Sequence, residues 1–262
     1  MKRIILIIVG FLVLAAVSVV SIMLVNSKVA PTPLNSGAVY DATKSTEESG
    51  SVHSIVPKAE KSELTFDYTQ TGINSSNNKI DVFIDADKNE YLFNDKGEQV
   101  GFKKSNNGID TYSSNVYEIN LEKAITIADT VLHETVNTNQ NYTMTGAKYI
   151  ENLNLFSITY HYLAGEYRTS DFALMFISNK GELMSYIAPN VGLFDGVDIP
   201  KIDKSGIERT VADYITQTYD CKDYSIEDMM LVKKDGLELS VSYYVTLSDD
   251  TVTADAYSIN LG

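Results

Sequence analysis

The residues that come nearest to a known catalytic motif are His133 and Glu134, which open the H-E-x-x-H pattern of zinc peptidases. That motif needs a second histidine, and Asn137 stands in its place. Because two imidazoles one helical turn apart are what hold the zinc ion, the motif fails at its main requirement. We therefore expect a solvated His133. We also expect a structural role for His161, which falls on the polar side of a predicted strand.

A second pattern resembles the start of a calcium-binding loop. Asp85, Asp87 and Asn89 have the spacing of the first ligands of such a loop. However, Glu90 occupies the position that needs glycine, and Lys96 the position of the bidentate glutamate. We expect a turn between two strands, and a weak surface calcium site is the alternative that the sequence leaves open.

Three aspartates, Asp87, Asp171 and Asp255, are equally spaced along the sequence. Aspartate often begins a turn, because its carboxylate accepts a hydrogen bond from a backbone N–H two residues on. We expect the same turn or cap at each of the three positions.

The single cysteine, Cys221, lacks the surroundings of a catalytic thiol. Its neighbours are Asp220, Lys222 and Asp223, whereas a reactive thiolate needs a base and an electropositive setting. One cysteine also excludes an internal disulfide and a zinc site built from cysteines. The sequence contains no nucleophile elbow, phosphate loop or dinucleotide fingerprint. We therefore predict no catalytic residues, no cofactor and no metal site, and a protein that is not an enzyme.

The charge balance excludes nucleic acid as a partner. The 262 residues carry 35 acidic and 21 basic side chains, a net charge of −14, and no basic run. Binding to a phosphate backbone needs clustered lysine and arginine.

The N-terminus has the features of a membrane anchor. Residues 4–25 form an uncharged apolar run behind Lys2 and Arg3. As a helix it would be roughly 33 Å long, enough for a hydrocarbon core of about 30 Å. The flanking positive charges predict a cytoplasmic tip, a transmembrane signal anchor within residues 1–25, and export of the remaining chain. A cleaved signal is the alternative, although its apolar region is normally shorter. Residues 26–61 are polar and predict a flexible stalk.

The remaining chain contains an internal repeat. Three pairs of short segments match at one common displacement along the sequence: 126–131 with 210–215, 169–171 with 253–255, and 93–98 with 177–182. The repeat predicts a strand-only β unit at 62–118, a complete α+β unit at 119–200 and a second, shorter α+β unit at 201–262. Units this small bury little surface alone, so we expect them to pack together or to pair strands across their boundaries.

Hydrophobic periodicity assigns the elements of these units. Apolar residues at helical spacing predict a helix over 121–136 behind Asn120 as N-cap, and a second helix behind a capping box of Ser205 and Glu208. Strands with one apolar face are predicted at 156–162 and 237–245, and a central strand, apolar on both faces, at 172–177. Turns are predicted at 179–181 and 235–236. The fold class is α+β: tandem units of one helix packed on an antiparallel sheet, behind a single N-terminal transmembrane helix.

The order of elements resembles the PepSY-like families of extracytoplasmic bacterial proteins. The matching segments are residues 121–136, 155–162 and 171–186, with 207–220 and 237–261 as a second copy. The resemblance implies tandem units behind a membrane anchor that bind or restrain partners such as peptidases. It brings no catalytic residues with it.

These observations predict a single-pass cell-membrane protein whose C-terminal part is extracytoplasmic and binds an envelope or secreted protein. The contact would be a polar strand face or an open edge strand. The expected role is to restrain a peptidase or to modulate an envelope sensor. One alternative is a surface hydrolase or small-ligand sensor with a site between units, and another is a structural spacer of the envelope.

Overall fold

The computed structural model describes residues 54–71, 79–105, 118–136 and 142–262. The predicted anchor and most of the predicted stalk lie outside these ranges. Within them, no helix is long and apolar enough to cross a membrane. The described elements are β1 (Thr65–Thr71), β2 (Lys79–Ile84), β3 (Glu90–Phe93), β4 (Gln99–Lys103), α1 (Leu121–Thr135), β5 (Tyr142–Ile150), β6 (Leu155–Ala164), β7 (Tyr167–Ser178), β8 (Leu183–Ile187), α2 (Lys204–Thr218), β9 (Cys221–Lys233), β10 (Leu237–Leu247) and β11 (Val252–Asn260).

The fold is a mixed α+β arrangement of one large sheet and two helices, and the α+β class predicted from the periodicity is confirmed. The main strand order is β1-β2-β3-β4-β8-β7-β9-β10-β11, and β5 and β6 branch from β7. The pairs are antiparallel except β7 with β9, which run parallel over two residues. Strands from different predicted units do pair, since β4 joins β8 and β7 joins β9. The apolar segment 172–177 lies in β7, which is central as expected.

Helix α1 follows the sequence prediction closely. The side chain of Asn120 accepts a hydrogen bond from the Lys123 N–H at 2.9 Å and so caps the first turn. Behind the cap, the apolar positions form one buried stripe. This stripe packs against residues of β3, β4, β6, β7 and β8, and these side chains form the first hydrophobic core.

Helix α2 begins earlier than predicted. Its N-cap is Asp203, whose carboxylate accepts from the Gly206 N–H at 3.2 Å. The expected capping box of Ser205 and Glu208 is therefore wrong, because the helix starts at Lys204 and Ser205 already lies inside it. An aspartate three residues before a free N–H satisfies the helix end as well as serine would. The buried face of α2 packs on β9 and β10 in a second core.

The predicted stalk extends too far toward the first strand. Val56 is only 3% exposed and belongs to the core under α1. The Glu134 carboxylate accepts hydrogen bonds from the Ser54 hydroxyl at 2.7 Å, the Ile55 N–H at 3.0 Å and the Val56 N–H at 2.9 Å. The Gln99 side chain also donates to the backbone of this segment. Residues 54–57 therefore belong to the described fold, although the sequence assigns them to the stalk. The Glu134 and Gln99 side chains bond mainly to backbone groups of this segment, which leave no signal in the composition.

Removing the Glu134 carboxylate should loosen residues 54–56. Burial alone would raise the pKa of Glu134, but the bonds from Ser54, Val56 and Ile55 outweigh it and hold the pKa below its ordinary value. We expect Glu134→Ala to lower the free energy of unfolding by about 1.5–3 kcal/mol, the range for hydrogen bonds to a charged group. It should also speed hydrogen exchange at the Ile55 and Val56 amides.

The matched control is His133→Ala, which alters the exposed neighbour on the same helical turn. It should leave the exchange at Ile55 and Val56 as it is in the unaltered chain. Equal exchange rates in the two variants would contradict the role given to Glu134.

Candidate functional site

The structure does not bring His133 and Glu134 together with a further ligand. His133 is exposed at the end of α1. The carboxylate of Glu134 accepts hydrogen bonds from the N–H groups of Ile55 and Val56. Asn137 lies outside the described ranges. Among the residues that the structure does describe, no group of three or more His, Cys, Asp or Glu side chains is placed to hold a metal ion.

The Asp85 segment forms a turn between β2 and β3. The Asp85 carboxylate accepts from the N–H groups of Asp87 and Asn89, each at 2.9 Å, and from the Asn89 amide at 2.8 Å. The Tyr91 hydroxyl adds a fourth bond at 3.2 Å. The carboxylate oxygens are thus engaged by the turn itself, in an Asx arrangement, and the turn lies between two strands as expected. Lys88 holds the positive φ of 66° that closes the turn.

His161 is buried rather than solvated, contrary to its expected position on a polar strand face. Its Nδ1 lies 2.6 Å from the Thr145 hydroxyl, and Phe172 packs at 5.6 Å between ring centroids. Burial, with a contribution from the nearby Arg168 charge, lowers the pKa of His161 to about 4. The imidazole is therefore neutral at physiological pH and has a packing role. Cys221 is half-exposed at the start of β9.

The three equally spaced aspartates do not share a turn. Asp87 lies in the β2–β3 turn, but Asp171 lies within β7 and Asp255 within β11. The expectation of a common turn or cap is wrong for these two, because each carboxylate instead accepts a tyrosine hydroxyl. Tyr142 donates to Asp171 at 2.9 Å, and Tyr219 donates to Asp255 at 2.6 Å.

A second tyrosine completes each arrangement. The rings of Tyr142 and Tyr162 meet edge-on at 6.3 Å, and those of Tyr219 and Tyr243 meet edge-on at 6.3 Å. In both cases one tyrosine follows a helix, the other lies on the middle strand, and the aspartate lies on the next strand. The matching tyrosines are slightly closer together in the sequence than the two aspartates are, so a search at one fixed displacement misses them. A comparison that allowed gaps would have found the signal.

The two tyrosine–aspartate pairs have opposite environments. Asp171 is 1% exposed, where the core under α1 meets the core under α2. Its Oδ1 has no hydrogen-bond partner among the described residues. Burial raises the pKa of Asp171 to about 6, although the Tyr142 hydroxyl and the Asn190 N–H oppose this rise. Asp255, in contrast, is exposed to solvent.

The strands beside each aspartate explain the difference. One edge of β7 pairs with β6, and its other edge is shared by β8 and β9. The loop after β8 adds Phe194, which stacks on Tyr162 at 6.4 Å. One edge of β11 pairs with β10, but within the described ranges no strand pairs with its other edge.

The free edge of β11 is regular along its whole length. It pairs with β10 over nine residues without a bulge. The Leu247 N–H donates to Thr251 at one end of the hairpin, and the Leu261 N–H donates to Leu237 at the other, both at 2.8 Å. Residues with odd numbers therefore bond to β10, and those with even numbers direct their N–H and C=O groups outward. The Ala256 N–H is already bonded to Asp255 at 2.8 Å.

The other two outer strands have features that hinder pairing. β1 has a bulge between Phe66 and Tyr68, and β5 has one between Met144 and Gly146. β11 has no bulge in its described register and no lysine or proline in its sequence. Bulges, lysine and proline are the usual means by which proteins protect sheet edges. The β11 edge, residues 252–260, is therefore the candidate functional site.

Comparisons with known proteins assign no family. No protein-family model and no curated protein matches the chain. Among solved structures, the chain is similar to the Bacillus megaterium YpeB C-terminal domain, with 15% sequence identity and a TM-score of 0.36. The alignment covers 76% of this chain and 85% of that domain. A likeness this distant carries no functional argument, and the PepSY-like resemblance stays a prediction from the sequence pattern.

The buried carboxylate of Asp171 should make stability depend on pH. Because its pKa is raised to about 6 in the folded chain, the folded state binds a proton more tightly than the unfolded chain does. This contribution to stability is complete below a pH of about 4 and is lost as the pH rises through about 6. Asp171→Asn has no charge to bury, so it should remove this fall, on the order of 2 kcal/mol.

Denaturant titrations of the full chain in detergent, at several values of pH from 4 to 8, measure the effect. Asp255→Asn is the matched control, because it alters the exposed member of the two tyrosine–aspartate pairs. If stability fell equally over this range in the Asp171→Asn variant and the unaltered chain, another group would be responsible.

Proposed function

We propose that the chain is a membrane-anchored, extracytoplasmic protein-binding module, and that a partner binds by adding a strand to the β11 edge. The single observation that carries this proposal is the outer edge of β11, which is regular, has no bulge, lysine or proline, and pairs with no other described strand. An extended segment placed beside it would bond to the outward N–H and C=O groups of alternate residues. Nine residues offer a pairing length of about 30 Å.

The internal contacts of the chain support this mode of binding. Strand β7 is the third strand after α1, and β11 is the third strand after α2. The outer edge of β7 is covered by two other strands, β8 and β9. Strands of the chain itself are therefore added to the edge of β7 that corresponds to the outer edge of β11. A partner strand would cover the outer edge of β11, as β8 and β9 cover the outer edge of β7.

The β11 edge is held in place before a partner arrives. The Tyr219 hydroxyl fixes Asp255, and the rings of Tyr214 and Tyr257 pack at 4.6 Å between centroids. Both contacts join β11 to α2 or to the residue that follows it. A strand that is ordered in advance loses less conformational entropy on binding, which favours affinity.

The proposed location rests on the N-terminal sequence. The uncharged run of residues 4–25 behind Lys2 and Arg3 has the length and flanks of a signal anchor. An anchored module outside the cell would meet envelope or secreted proteins, and restraint of a peptidase or modulation of an envelope sensor fits this placement. For the alternative of a hydrolase or ligand sensor, polar groups do converge between the helical segments at Asp171, but that carboxylate is buried. This burial favours a structural role for Asp171.

Proline at outward-facing positions of β11 should abolish partner binding. Ala254 and Ser258 direct their N–H groups away from β10, so proline there removes no bond within the sheet. We expect Ala254→Pro combined with Ser258→Pro to fold but to lose strand addition. Partner binding is measured in the native membrane with a photo-crosslinking amino acid at the exposed position of Ala256.

The matched control combines Ala254→Thr and Ser258→Thr, which changes the same side chains and keeps both N–H groups. This variant should retain the crosslinked adduct. A second crosslinker position at exposed Lys180, away from the edge, should give no such adduct. An adduct at Ala256 that persists undiminished in the proline variant would contradict strand addition.

The single cysteine allows a direct test of topology. Cys221 is half-exposed, and the chain has no other thiol. We expect a membrane-impermeant maleimide to label Cys221 on intact cells, and the labelled chain to remain in the membrane after carbonate washing. The Cys221→Ser variant should stay unlabelled. Labelling that appears only after cell lysis would place the module inside the cell.

A further inference from the structure

The acidic charge around β11 points to the chemistry of the segment that binds there. Resting on the proposed function, we infer that this segment is basic, with lysine or arginine at alternate positions. The inference concerns the partner alone, so it can fail while strand addition stands.

The charged side chains of the β10–β11 hairpin are all acidic, with one on each strand and the others at the turns. Residues 235–262 contain no lysine or arginine and five acidic residues: Asp235, Glu238, Asp249, Asp250 and Asp255. Ion pairs engage two of these, Asp250 with Lys222 and Glu238 with Lys234. The other three form no ion pair with any residue that the structure describes. An approaching strand would therefore meet a negative edge with no cation of its own.

The two faces of β11 carry different side chains, and this difference determines the spacing of basic residues in the bound segment. Asp255 and Tyr257 lie on the face toward α2, since Tyr219 reaches the first and Tyr214 packs on the second. Side chains of an added strand alternate between faces, so every second one would lie beside Asp255 and Tyr257. A lysine or arginine there would meet a carboxylate and an aromatic ring, which both favour a cation.

The opposite face imposes no such requirement. It presents the small side chains of Ala254, Ala256 and Ser258. These leave room for any residue at the intervening positions. The predicted binding segment therefore has basic residues at the alternate positions that lie beside Asp255 and Tyr257, with an uncharged strand-forming residue between them.

The same charges argue against a second copy of this chain as the occupant. Two β11 edges paired with each other would bring two acidic hairpins together. Like charges across paired strands are destabilising. A basic segment of a different protein satisfies both the hydrogen-bonding groups and the charge.

Designed peptides can test the inference on the full chain in nanodiscs of phosphatidylcholine. The basic peptide is acetyl-TKVKTKVKT-amide, and the acidic peptide is acetyl-TEVETEVET-amide. A third peptide, acetyl-KKTVTKTVK-amide, has the composition of the basic peptide but not its alternation. We expect the basic peptide to bind at least ten-fold more tightly than the acidic one at low salt, and the scrambled one to bind more weakly than the basic one. On binding, hydrogen exchange should slow at the outward N–H groups of Ala254 and Ser258.

Two double variants separate the effect of the acidic charge from the effect of the hydrogen-bonding groups of the β11 edge. Asp249→Asn with Asp255→Asn should weaken the basic peptide several-fold while leaving the edge intact. The Ala254→Pro and Ser258→Pro pair should abolish binding while leaving the charge intact.

Equal binding of basic and acidic peptides, both lost in the proline variant, would overturn the basic preference and leave strand addition standing. If no peptide bound, but the partner crosslink at position 256 were still lost in the proline variant, the basic preference would likewise be overturned and strand addition would stand. Basic-peptide binding that the proline variant retains would overturn both, since charge alone would then attract the peptide.

Discussion

Each strand has only two edges that can form hydrogen bonds, and this limit decides how the sheet is assembled around β7. One edge is taken by β6. The other must serve both β8, which joins the strands before α1, and β9, which joins the strands after α2. The length of Tyr167–Ser178 makes this sharing feasible, because β8 and β9 bond to different parts of it. The parts of the sheet would have no common strand without β7.

The shared edge also creates the buried polar site. Where β9 meets β7, Thr169, Ser170 and Asp171 lose almost all contact with solvent. The Thr169 hydroxyl donates to the Tyr162 carbonyl, and Tyr142 donates to Asp171, so the arrangement is largely bonded. A carboxylate is nevertheless costly to bury, and its raised pKa reflects that cost. Among the described residues no strand covers the second tyrosine–aspartate pair, and Asp255 is exposed, which supports the proposal that a partner binds at the β11 edge.

The sequence predicted those features that local patterns determine. Asn120 and the apolar stripe behind it define α1, and an apolar run on both faces marks β7 as central. It failed where the deciding contact is distant in the chain. Asp203, and not Ser205, caps the second helix, and Glu134 bonds to a segment far earlier in the chain. The buried Asp171 lies near Tyr142, Asn190 and Asp195, which are distant from it in the sequence. The sequence predicted a polar strand face or an open edge strand as the binding surface, and it could not predict which strand lies outermost, because that depends on distant strand pairings.

The positions of residues 54–56 and of the β11 edge in the fold affect how such a module would work. The chain enters the described fold at residues 54–56, which are bonded to the end of α1 and packed in the first core. The β11 edge is the last strand of the order, beyond the second core. Under the proposed function, the tether would join the fold at the first core and the partner would bind beyond the second core. Tethering raises the effective concentration of a module near its surface, so even modest affinity of one edge strand for a partner would give lasting contact.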